Sequence, residues 1–113
     1  MQQISTHQLA DWLAKCAASE AGAHQSPVLL DVREPWEYEL CQLAGSLLMP
    51  MQLVPSRWAE LDVASAVVVI CHHGMRSMQV AMFLEGKGFG SIYNLAGGVD
   101  AWAQDVDPGM RKY

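Results

Sequence analysis

Apolar residues recur along this chain in short runs that switch between two periods. Leu9, Trp12, Leu13 and Cys16 stand at helical spacing behind Ser5-Thr6-His7-Gln8, which has the pattern of a capping box. Gly22 and Pro27 break that run, and 19–27 has the composition of a linker. The stretch 28–32 predicts a short apolar strand, and 35–40 a brief helix whose first turn suits Pro35. A second short strand is predicted over 46–49, ended by Pro50, with a helical turn over 56–61. The run 66–70, Ala-Val-Val-Val-Ile, predicts the most buried strand, and 77–85 a helix stopped by Gly86 and Gly88. A strand over 91–94 and a helix over 99–104 follow, separated by Gly97-Gly98.

Short apolar strands alternating with helices imply an α/β fold with parallel strands joined by crossover helices. In such sheets ligands bind at the carboxyl ends of strands. Cys71 closes the most apolar strand, and Asp31 lies near the end of another. A thiol at a strand-to-helix junction faces loop N–H groups and the positive end of the helix. Both favour the thiolate, which is the nucleophile. Cys71 is therefore a candidate catalytic residue.

The chain has 113 residues, 51% of them apolar, which suits a single domain over 1–113 with a real core. Its 7 basic and 12 acidic residues give a formal charge of −5, which argues against nucleic-acid or anionic-membrane binding. No apolar run approaches the length of a membrane span, and the first residues lack the regions of a signal peptide. The 3 cysteines include no C-x-x-C pair, so a reducing cytoplasm fits better than a disulfide framework. Cys41 reads as a packing residue rather than a thiol that resolves Cys71.

The loop Cys71-His72-His73-Gly74-Met75-Arg76-Ser77 carries the candidate chemistry. Gly74 gives the freedom a tight curl needs, so N–H groups point inward to hold negative charge on sulfur. A helix from Ser77 would add its dipole. Arg76 is expected to bind an anionic donor at the rim, with a plain ion pair as the alternative. His72, His73 and Met75 are expected to shape the mouth. Adjacent residues on a tight loop do not readily converge on an ion, so no metal or other cofactor is expected. Trp12, Trp36, Trp58 and Trp102 read as core, and Met49, Met51, Met75, Met78 and Met82 as gap-filling residues, with Met75 at the rim.

Three stretches resemble the rhodanese, or sulfurtransferase, family. Residues 29–38, Leu-Leu-Asp-Val-Arg-Glu-Pro-Trp-Glu-Tyr, are similar to its leading signature. Residues 71–77 match its active-site loop, Cys-x-x-Gly-x-Arg-Ser, and 95–102 its closing Gly-Gly-x-x-x-Trp element. One segment departs: where the family shows Gly-His-Ile-Pro-Gly-Ala, residues 41–46 are Cys-Gln-Leu-Ala-Gly-Ser, keeping only Gly45. The resemblance implies a rhodanese-like, about five-stranded, mainly parallel sheet with helices on both faces. It implies that Cys71 takes the outer sulfur of a small anionic donor such as thiosulfate as a persulfide and passes it to cyanide or a thiol. It also implies that Asp31 and Arg33 brace the region beneath the loop.

Two other readings stay open. A cysteine-dependent phosphatase or arsenate reductase needs five residues between Cys and Arg, and here four separate Cys71 from Arg76. A persulfide carrier that delivers sulfur to a protein thiol would keep the same cysteine and differ only in turnover. The segment 107–113 carries no signal of its own.

Overall fold

The computed structural model of the chain describes residues 1–18 and 26–113. Its strands are β1 (Gln2–Ile4), β2 (Val28–Asp31), β3 (Leu47–Leu48), β4 (Val67–Ile70) and β5 (Ile92–Leu95). Its helices are α1 (Thr6–Ala18), α2 (Pro35–Leu40), α3 (Val54–Arg57), α4 (Met75–Gly86) and α5 (Gly98–Asp105). The strands form one parallel sheet in the order β1-β5-β4-β2-β3.

The side-chain alternation of β4 divides the core. Val67, Val69 and Cys71 face one layer with Val54 of α3 and Val80, Ala81 and Leu84 of α4. Val68 and Ile70 face the other, with Leu9 of α1 and Val99 and Trp102 of α5. Both faces are covered, so β4 reads as an unbroken apolar run, and each of its buried side chains contributes about 2 kcal/mol. Because the strands are parallel, the carboxyl ends of β2, β4 and β5 meet at one edge. Asp31, Cys71 and the Gly97-Gly98 pair gather there.

Several elements differ from the sequence expectation. β1 has no signal in the apolar pattern, since two of its three residues are exposed glutamines at the sheet edge and only Ile4 is buried. The strand over 46–49 contracts to Leu47–Leu48. The helical turn starts earlier, as a 3-10 turn over Met51–Leu53 that runs into α3 and a second 3-10 turn over Trp58–Glu60. α4 begins at Met75 rather than Ser77, because Gly74 caps it in the left-handed region at φ 104°.

Trp36 is not core: it is 58% exposed and packs edge-on against Tyr113 at 5.7 Å. Met82 is likewise exposed, whereas Met49 is fully buried. The Gly22 break and the linker-like 19–25 lie outside the described residues. In the departing 41–46 segment, Gly45 turns the chain at φ 79°. Tyr38 Oη donates to the Ser46 carbonyl, and Ser46 Oγ to the Leu43 carbonyl, each at 2.7 Å, so local bonds hold this turn. No helix among the described residues is long and apolar enough to cross a membrane.

Candidate active site

Cys71 follows the last residue of β4 and is 1% exposed. Its loop is fastened to the start of α5, where the amides of Val99 and Asp100 donate to the carbonyls of Cys71 and His72 at 2.8 and 3.0 Å. That approach requires Gly98, at φ 60°, because a Cβ there would overlap both carbonyl oxygens. The Gly-Gly pair thus sets the backbone that carries the thiol.

The Cys71 Sγ receives the Gly74 N–H at 3.1 Å and lies 3.2 Å from Ser77 Oγ. Both groups belong to the cap and first turn of α4, whose dipole points at the sulfur. Ser77 Oγ in turn donates to Asn94 Oδ1. The Asn94 amide is fixed by donating its Nδ2 to Gln3 Oε1 at 2.9 Å and the Gly74 carbonyl at 3.2 Å. With the Ser77 proton given to Asn94, the hydroxyl presents a lone pair to the thiol. A half-turn of that hydroxyl offers the sulfur a second donor. Among the described residues, Gly74 is the loop amide that donates to Sγ, and the amides of the first turn of α4 follow it.

Arg76 is tied by two parallel bonds to Glu37, Nη1 to Oε1 at 2.7 Å and Nη2 to Oε2 at 2.9 Å. Of the two readings open for it, the ion pair is the one the structure contains. The hydrogen bonds from Arg76 hold the Glu37 carboxyl down at about 2, and those from Glu37 hold Arg76 above its usual range.

Arg33 is fully buried beneath this pair. Its Nη2 and Nε reach Asp31 at 2.7 and 2.9 Å, and its Nη2 and Nη1 reach the Cys41 carbonyl at 2.6 Å and Tyr113 Oη at 3.0 Å. Burial alone would lower its affinity for a proton, and the bonds to Asp31 and Tyr113 reverse that, leaving the guanidinium above its ordinary value. Tyr113 Oη donates to Glu37 Oε2 at 2.7 Å, and burial pushes the phenol up to about 12. One network therefore joins Asp31, Arg33, Tyr113, Glu37 and Arg76 under the loop.

Around the mouth, the His72 ring lies between those of His73 and Tyr113, stacked at 4.1 Å on each side. His72 is half-buried, and desolvation followed by the proximity of His73 lowers its pKa below 6.5. Asp100 stands 3.9 Å from His73 Nε2. His72, His73 and Asp100 bring one ligand atom each within 4.8 Å of one another, so a third ligand does accompany the two histidines. Met75 is exposed at the first position of α4.

Sequence reasoning passed over Glu37, Asn94, Asp100 and Tyr113. Asn94 had a signal: an amide within the short strand 92–95 needs a buried partner. Glu37 and Tyr113 had none, because their partners lie 39 and 80 residues away.

Residues 8–105 match the family model described as the rhodanese-like domain. The chain is 38% identical over 77 residues to a sulfurtransferase of Allochromatium vinosum, covering 68% of this chain and 72% of that protein. It is 32% identical over 84 residues to the thiosulfate sulfurtransferase GlpE of Pseudomonas syringae, covering 74% and 79%. It is 39% identical over 89 residues to the chloroplastic rhodanese-like/PpiC domain-containing protein 12 of Arabidopsis thaliana; the match takes in 75% of this chain and only 30% of that longer protein. The crystal structure of a rhodanese-like domain protein from Staphylococcus aureus superposes with a TM-score of 0.79 at 25% identity, over 100% of this chain and 99% of that one. Sequence and fold agree: this chain belongs to the rhodanese-like domain family.

Proposed function

We propose that the chain is a sulfurtransferase in which Cys71 carries sulfane sulfur as a persulfide. The Cys71 thiolate attacks the outer sulfur of a thiosulfate-type donor. The new S–S bond forms as the donor's S–S bond breaks, and sulfite leaves with the electron pair. A cyanide ion or a thiolate then attacks the outer sulfur of Cys71-S-S⁻ and returns the Cys71 thiolate. The names of the Allochromatium and Pseudomonas relatives support this chemistry.

The observation that carries the reading is the setting of Sγ: a buried sulfur at a strand end, 3.1 Å from the Gly74 amide and 3.2 Å from Ser77 Oγ. These two groups hold charge on one sulfur atom. A tetrahedral phosphate needs a wider cradle of amides, which disfavours a phosphatase. Asp31 and Arg33 act from below as positioning residues, and His72, His73 and Met75 line the approach. Met75, 67% exposed beside the loop, offers apolar contact to an acceptor protein, so a protein thiol is a fitting acceptor. No nucleic acid, membrane or cofactor takes part in this reading, and the setting is a reducing cytoplasm.

The test is the intact mass of reduced protein after incubation with thiosulfate, beside Cys71→Ser. The expected result is a gain of one sulfur atom in the parent alone, removed by cyanide. A gain in both proteins, or in neither, overturns the reading.

A further inference from the structure

Three metal-ligating side chains meet where the Cys71 loop touches α5. His72 and His73 belong to the loop, and Asp100 to the first turn of α5. One donor atom from each lies within 4.8 Å of the other two, and His73 Nε2 is 3.9 Å from Asp100 Oδ2. Among the described residues no other three histidine, cysteine or carboxylate side chains gather in this way. The backbone beneath them is fixed, because the Asp100 amide donates to the His72 carbonyl at 3.0 Å and the Val99 amide to the Cys71 carbonyl at 2.8 Å. The His72 ring is held between His73 and Tyr113, and Tyr113 is held in turn by Arg33 and Glu37. The His73 and Asp100 side chains are 65% and 32% exposed, so an ion in solution reaches them.

We propose that His72, His73 and Asp100 form a binding site for a divalent transition-metal ion of the Zn²⁺ class, which clips the Cys71 loop to α5. Two imidazole nitrogens and one carboxylate oxygen suit Zn²⁺, whereas Mg²⁺ and Ca²⁺ take oxygen ligands. Adjacency of the two histidines argues against a metal on sequence grounds, and Asp100 changes that by approaching from a second element. In a tetrahedral site with bonds of about 2.0–2.1 Å, donor atoms stand about 3.3 Å apart. From 4.8 Å at most, the closure required is about 1.5 Å, which rotation of the His73 and Asp100 side chains supplies. Three protein ligands leave a fourth position for water. None of the three side chains is among the contacts of Cys71 Sγ, so the site is independent of the sulfurtransferase reading.

The experiment titrates the reduced, tag-free protein with Zn²⁺ by calorimetry and with Co²⁺ as a spectroscopic stand-in. The parent is compared with Cys71→Ser, His73→Ala and Asp100→Asn, and thermal unfolding without metal verifies that each variant folds. The expected result is one ion per chain in the parent, bound equally well by Cys71→Ser. His73→Ala and Asp100→Asn should each weaken binding about tenfold or more. The Co²⁺ spectrum of the parent should lack a sulfur-to-metal charge-transfer band, as a nitrogen and oxygen donor set requires. Parent-like affinity in His73→Ala or in Asp100→Asn overturns the proposal. Loss of binding in Cys71→Ser, or a sulfur-to-cobalt band in the parent, also overturns it, because the thiolate would then be the ligand. A parent that binds neither Zn²⁺ nor Co²⁺ overturns it outright, and sulfur loading of Cys71 is unaffected by that outcome.

Discussion

Arg76 and Glu37 join the first turn of α4 to α2 through two bonds of 2.7 and 2.9 Å, so the helix that caps the candidate nucleophile is anchored from outside its own loop. Glu37 is buried, and its carboxyl is held at about 2 against an ordinary 4.5. A depressed carboxyl contributes stability that is present above pH 4.5 and lost as pH falls toward 2. Glu37→Gln removes the charge that pairs Arg76, whose side chain is itself 37% exposed, and is expected to cost about 1–2 kcal/mol at pH 7. It should also flatten the fall in stability between pH 4.5 and 3, measured by urea unfolding. A variant with the parent's acid slope would refute the assignment.

Asn94 orients the Ser77 hydroxyl that faces the sulfur. Replacing it with Ala should speed sulfur loading of Cys71 about threefold at an unchanged KM for donor, because the Ser77 proton is no longer held by Asn94 and turns to the thiolate. The accompanying loss of stability should be about 1–2 kcal/mol. If KM changes instead of kcat, Asn94 serves the donor and not the thiol.

Gly98 and Gly45 both adopt left-handed conformations, but only Gly98 is crowded, by the carbonyls of Cys71 and His72. Gly45→Ala should cost only about 1 kcal/mol, the strain of the conformation itself. Gly98→Ala adds a steric overlap and should cost about 3 kcal/mol or more while displacing the loop. Thermal unfolding of the two variants side by side checks this, and equal losses would contradict the clamp.

A protonated His72 would add positive charge to the mouth, among His73, Asp100, Tyr113, Glu37 and Arg33. Burial lowers its pKa below 6.5, so the charged form gains population only at more acid pH. The KM for thiosulfate is therefore expected to stay level from about pH 8 to 7 and to fall about twofold by about pH 5.5, with the fall abolished in His72→Gln. Improvement already complete at neutral pH would show that burial does not restrain His72.

The readable parts of this fold are those whose cause is local. Val67–Ile70 is a run only a doubly covered strand explains, and Cys71 with Gly74 marks the junction after it. β1 escaped because an edge strand need bury only Ile4, which leaves no alternation to read. The true start of α4 turns on Gly74 acting as its cap, a backbone choice its neighbours do not announce. Trp36 looked like core by residue type, yet α2 presents it outward onto Tyr113. Glu37 lies 39 residues from Arg76, Asn94 17 from Ser77 and Tyr113 80 from Arg33, and only the folded topology brings these pairs together.

The bonds from the Val99 and Asp100 amides to the Cys71 and His72 carbonyls also make the reactive loop and α5 a single unit of local unfolding. Fraying of the start of α5 releases the two carbonyls that follow the sulfur in the chain. Deuterium uptake at these two amides consequently serves as a built-in gauge of loop integrity, one that can be read without donor, acceptor or turnover.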